Sequence, residues 1–96
     1  MKKTNEILLK DAIEAFLKEN HIDQKFNETR LISCWQSVVG NLIARHTLQL
    51  QIRKKTLFVK VDNAALRQEL NYQKGNILEK LNSEVDMRVI DEIVIT

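Results

Sequence analysis

The chain has 96 residues, 44% of them hydrophobic and 29% charged, with a formal net charge of +2; that length allows one modest core, and the composition is far from that of a disordered chain. A lone cysteine, Cys34, excludes an internal disulfide, and no Cys/His cluster has zinc-ligand spacing. The opening Met1-Lys2-Lys3 is basic like a signal n-region, but Glu6, Lys10, Asp11 and Glu14 interrupt the apolar run that would have to follow, and no segment is apolar enough to span a bilayer. A cytoplasmic protein without a cofactor or membrane contact is expected.

In chain order, Leu9, Ala12, Ile13, Phe16 and Leu17 recur at helical spacing between Asn5 and Glu19, with Thr4 or Asn5 as cap and Asn20 as stop. A helix with one buried face is the expectation. After a polar connection through Asp23 and Lys25, the residues Leu31, Trp35, Val38 and Leu42, flanked by Ile32 and Val39, predict a second helix starting at Asn27. Gly40 marks a break near its end, and a short helical turn resumes from Asn41 to Arg45. The period then changes to two. Leu48, Leu50 and Ile52 alternate with Gln49, Gln51 and Arg53, and Leu57, Val59 and Val61 alternate with Phe58 and Lys60, so two strands form a hairpin around Lys54-Lys55-Thr56. Without Asn-Gly or Asp-Gly the turn type is not assignable. Asp62-Asn63 caps a third helix, whose stripe of Ala65, Leu66, Leu70, Ile77, Leu78 and Leu81 ends near Asn82, with Gly75 placed to kink or divide it. Val89 to Ile95 predicts a last strand with Val89, Ile93 and Ile95 on one face.

The order helix, helix, strand, strand, helix, strand predicts an α+β fold: a small three-stranded sheet covered by helices on one face and open on the other. With no repeat, no low-complexity tract and no proline, one domain over 1–96 is expected.

Charge is unevenly distributed. Between Glu28 and Asp62 there is no acidic residue, while Arg45, Arg53, Lys54, Lys55 and Lys60 fall within that band. Such a band attracts polyanions through phosphate contacts and counterion release. The same charges also keep an outer face wet and protect a sheet edge from pairing with other chains.

The ordered set Trp35-x-x-Val38-Val39-Gly40-x-x-Ile43-Ala44-x-His46-Thr47, then Leu57-x-Val59-x-Val61, Glu69-Leu70, Ile77-Leu78-x-x-Leu81-Asn82 and Ile93-x-Ile95 resembles the bacterial DciA-like family over roughly Glu6 to Ile95. The resemblance implies a K-homology (KH)-like fold, DNA binding and assistance to loading of the replicative helicase. It implies a short, domain-only member, since longer relatives extend past the domain with a flexible or zinc-ribbon segment. Two positions depart from the family pattern: Lys54-Lys55-Thr56 stands where relatives carry Gly-Lys or Gly-Thr, and Ala64-Ala65-Leu66 where they carry Trp-Ala. No Gly-x-x-Gly clamp is present.

Single residues have simple readings. Trp35, within an apolar stripe, is a core anchor before it is a base-stacking ring. His46 is a capping or packing residue before it is a phosphate contact. Cys34 is a small buried apolar group, and Asp91-Glu92, on opposite faces of a strand, do not share a metal. No Gly-rich phosphate loop, nucleophile elbow or metal helix occurs, so no enzyme is expected. Two functions stand. In the first, Arg53, Lys54 and Lys55 at the hairpin tip, with Arg45, Lys60, Arg67 and Lys74, contact phosphates of single-stranded or duplex DNA with little sequence preference. In the second, the chain is a protein-interaction module, docking a partner such as the helicase without binding nucleic acid.

Overall fold

A computed structural model describes the backbone of residues 2–19 and 22–96 and the side chains of 8–16 and 22–96. The elements are α1 (Lys2–Glu19), α2 (Ile22–Ser33), α3 (Trp35–Val39), α4 (Asn41–Arg45), β1 (Thr47–Arg53), β2 (Thr56–Val61), α5 (Ala64–Glu84) and β3 (Glu92–Ile95). They form the expected α+β fold, with the second predicted helix divided into three. Its start moves too: α2 begins at Ile22, so Asp23 and Lys25 lie inside a helix rather than in a connection, with Asp23 favourably placed in the first turn.

The divisions have local causes. At Cys34 the backbone leaves the α2 ladder, its N–H donating to the Leu31 carbonyl at 3.0 Å. Gly40 has φ +92°, a conformation side-chain-bearing residues rarely adopt, and it ends α3 and starts α4 at once. Its N–H donates to the Gln36 carbonyl and its carbonyl accepts from Ala44 N–H. The break turns α4 out of register with α3, which leaves Leu42 exposed rather than in the Trp35 stripe.

The sheet has the order β1-β2-β3. β1 and β2 are antiparallel, with Leu50 opposite Val59 and Arg53 opposite Thr56. β2 and β3 are parallel, Leu57 opposite Ile93 and Val59 opposite Ile95, so α5 is the crossover that parallel neighbours require. Leu57, Val59, Val61 and Ile93 point inward and join Leu31, Trp35, Leu70, Ile77, Leu81, Val85 and Ile90 in one buried cluster. A register shift between Thr47 and Gln49 corrects the expected alternation. Leu48 occupies a bulge and is 59% exposed, while Thr47, opposite Val61, takes the position beside Trp35.

Asn63 caps α5 as expected, its side chain accepting from Leu66 N–H at 3.0 Å. The helix then runs unbroken for 21 residues to Glu84, through Gly75 and past Asn82. Gly75 is exposed, and an added Cβ would meet nothing within 4 Å; the helix carries its propensity cost without breaking. Asn82 is buried and ties down the segment leading to β3. That strand begins at Glu92, leaving Val89 before it, half-buried at the core's edge.

α1 overturns the expectation of a buried face. Leu9 is 63% exposed, and Leu8, Ile13 and Phe16 are exposed as well. Among the described elements α1 leans chiefly on α2, and the molecule extends to 60 × 20 × 20 Å. Thr4 and Asn5 lie within α1 rather than capping it. The Leu17 side chain and Asn20 lie outside the described residues.

Candidate nucleic-acid interface

Strand phase decides which side chains share the face away from the helices. Because Leu57, Val59 and Val61 point into the core, Thr56, Phe58 and Lys60 point out. Register adds Gln49 beside Lys60, Gln51 and Val94 beside Phe58, and Arg53 and Glu92 beside Thr56. The outer face therefore holds three rows, about 7 Å apart along the strands. Gln49, Gln51, Arg53, Lys60 and Glu92 are exposed, and Phe58 is half-buried on the central strand. The Arg53 guanidinium lies over the Phe58 ring, 4.9 Å from its centroid, a cation–π contact.

The hairpin joining β1 and β2 has a definite turn. Arg53 and Thr56 are paired, and the two residues between them, Lys54 (φ +48°) and Lys55 (φ +62°), are both left-handed. This is a type I′ geometry, whose twist suits the flanking strands and whose usual residues are Asn-Gly. A left-handed non-glycine residue costs roughly 1–2 kcal/mol. The strands' pairing therefore holds two lysines in a conformation they disfavour, and the Lys55 carbonyl is further fixed by accepting from Asp91 N–H at 2.7 Å. Replacing Lys54→Asn together with Lys55→Gly should relieve that cost and stabilise the domain by about 1–2 kcal/mol, raising Tm by about 4–16 °C. A thermal melt followed by circular dichroism checks this; an unchanged or lower Tm would show that the turn is not strained.

The other expected cations are scattered. Lys60 stands on the open face. Arg45 ends α4, beyond the opposite end of β1 and about 20 Å from the tip. Arg67 is half-buried, its Nη1 donating to the Val61 carbonyl at 2.8 Å, which ties the first turns of α5 to the end of β2. Lys74 is exposed on α5, on the helical side of the sheet. The geometry thus brings together Arg53, Lys54, Lys55 and Lys60, sets Arg45 at the far end, and places Arg67 and Lys74 elsewhere. Among the described residues none of the four clustered cations forms a salt bridge. Arg88, near the tip, is neutralised by Asp91 at 2.8 Å and Glu79 at 3.8 Å.

Trp35 and His46 have structural roles. Trp35 is 3% exposed, and its Nε1–H donates to Thr47 Oγ1 at 3.0 Å; that hydroxyl donates on to the Ile43 carbonyl at 2.7 Å. His46 Nδ1 lies 2.7 Å from Asp62 Oδ1, and Asp62 N–H donates to the His46 carbonyl, so the pair joins the start of β1 to the end of β2. Cys34 is half-buried against the core. An open groove of about 380 Å³ runs beside β1 past Ile32, Trp35 and Leu48, but no charged side chain lines it. Among the described residues no His, Cys, Asp or Glu cluster could hold a metal ion, and no helix is long and apolar enough to cross a membrane.

Sequence reasoning passed over Phe58, Gln49 and Gln51. The signal was present: Phe58 alternates out of phase with Leu57, Val59 and Val61, the only aromatic placed on the polar side of a strand.

A mixed three-stranded sheet backed by helices on one side, open on the other and ending in a cationic turn defines a small, open-faced α+β domain. No curated protein matches the chain. It does match the family described as Dna[CI] antecedent, DciA, over residues 8–95, and it belongs to that family. The family is a non-catalytic accessory family linked to replication and helicase loading.

Proposed function

We propose that this protein is a DNA-binding accessory domain acting beside the replicative helicase, with the Arg53-Lys54-Lys55 tip and Lys60 as its principal phosphate contacts. The carrying observation is the tip itself: two adjacent lysines kept at positive φ, next to an arginine, in a stretch without acidic residues. Strain maintained where glycine or asparagine would relieve it is a mark of functional positions. Family membership supplies the replication setting. Contact through a KH-type Gly-x-x-Gly clamp is not part of this proposal, because the chain lacks that motif.

The test is a salt-dependent binding titration on labelled DNA. Lys54→Glu with Lys55→Glu keeps two non-glycine residues in the turn, so folding is conserved while two charges reverse. Affinity should fall on the order of tenfold or more, and the slope of log K against log salt should shrink by about 1 for each phosphate that the tip no longer neutralises. Wild-type affinity in that variant, or binding indifferent to salt, would defeat the proposal.

The exposed apolar residues Leu8, Leu9 and Ile13 on α1 favour a second reading, a protein-interaction module. A face of this kind on a helix that leans chiefly on α2 suits a protein partner. Co-purification with the helicase, combined with no DNA binding at physiological salt, would make this the better reading.

A further inference from the structure

We infer that the open face of the sheet is a stacking platform for single-stranded DNA, in which a base lies on the Phe58 ring while Arg53 and Lys60 hold phosphates on either side. The inference rests on the DNA-binding reading and adds a substrate class to it: unpaired rather than duplex DNA.

A phenylalanine on the central strand of a small sheet is ordinarily turned toward the helices. Here the core phase is filled by Leu57, Val59 and Val61, and Phe58 faces outward with Arg53 across it. Its row holds Gln51 on one side and Val94 on the other, so the ring has an apolar neighbour and an amide able to donate to or accept from a base edge. The rows before and after carry Lys60 and Arg53, about 7 Å away along the strands in each direction. Base, phosphate and ring thus find counterparts on one surface. Glu92 is the single carboxylate on the face and stands on β3, so a bound strand tracks along β1 and β2.

The Arg53 contact fits the same use. Guanidinium groups stack on bases as well as on aromatic rings, and an exposed arginine without a carboxylate partner can leave the ring for a phosphate as the base arrives. Stacking of this kind tolerates any base, because every base has a π-face, and it requires bases free of a duplex. Phosphate contacts at the tip, by contrast, serve either form.

The experiment compares a fluorescein-labelled oligodeoxythymidine with a blunt duplex of equal length, on wild type, Phe58→Leu and Phe58→Trp. Phe58→Leu keeps an apolar group in the row and should weaken oligodeoxythymidine binding by about 5- to 150-fold, the range supplied by base–aromatic stacking, while duplex binding changes less than about twofold. Phe58→Trp should retain single-strand binding, and its emission should be quenched on addition of the oligonucleotide, above the constant background of buried Trp35. Equal affinity of wild type and Phe58→Leu for oligodeoxythymidine overturns the stacking inference and leaves DNA binding intact. Equal weakening on both probes in a variant that melts like wild type also overturns it. A wild-type protein that binds neither probe defeats the DNA-binding reading itself.

Discussion

Replacing Asn82 by alanine is expected to cost the domain about 3 kcal/mol, lowering Tm by about 12–24 °C. Asn82 is only 7% exposed and spends its whole side chain on the segment between α5 and β3. Its Oδ1 accepts from Val89 N–H at 2.9 Å and from Ile90 N–H at 3.1 Å, and its Nδ2 donates to the Ile90 carbonyl at 2.9 Å. Truncation strands two donors and an acceptor around Ile90, which is fully buried. Each buried group left without a partner costs about 1–3 kcal/mol, and the truncation removes three bonds at once. The segment is also what aims β3 into its parallel place beside β2, so the damage reaches the sheet. Against a typical total stability of about 5–15 kcal/mol, this is a large fraction. Urea unfolding by circular dichroism gives the number; a change below about 1 kcal/mol would mean that water substitutes for the amide and that the clamp is dispensable.

Trp35→Ala should destabilise by about 3–5 kcal/mol, the usual cost of emptying a large aromatic site. Trp35→Phe should cost much less, about 1–2 kcal/mol. The phenyl ring keeps much of the apolar packing, and Thr47 Oγ1 still donates to the Ile43 carbonyl when the indole N–H is gone. The contrast separates packing from hydrogen bonding at a residue that joins α3 to the bulged start of β1. Under the DNA-binding proposal, Trp35→Phe should also bind as wild type does, since the indole is enclosed. Chemical denaturation and the binding titration together check both statements, and a phenylalanine variant as unstable as the alanine one would put the weight on the hydrogen-bond chain instead.

What the sequence disclosed follows what is local. The α5 cap at Asn63, the alternation of Leu57, Val59 and Val61, the break at Gly40 and the core place of Trp35 are set by neighbouring residues and are readable from them. The bulge is not, because Leu48-x-Leu50-x-Ile52 alternates without fault; Thr47 displaces Leu48 through a bond to Trp35, twelve positions away. Gly75 reads as a break, yet a 21-residue helix packed along its buried face absorbs one unfavourable residue. For α1 the amphipathic pattern is legible, but a pattern names a face and not what covers it. At the candidate site the cations can be counted in the sequence. Their grouping cannot, since strand register places Lys60 with Arg53, and a backbone carbonyl holds Arg67 away from them.

The length of the molecule bears on how two ligands could be held. α1 leans on α2 rather than on the sheet, so its apolar residues stand apart from the face that carries Phe58 and Lys60 along a body 60 Å long. A protein seated on α1 and a DNA strand lying on the sheet would not compete for space. Joined through one body of that length, each would meet the other at an effective concentration on the order of millimolar, well above what free encounter in dilute solution provides. An accessory domain can in this way change the outcome of a partner's reaction by proximity alone.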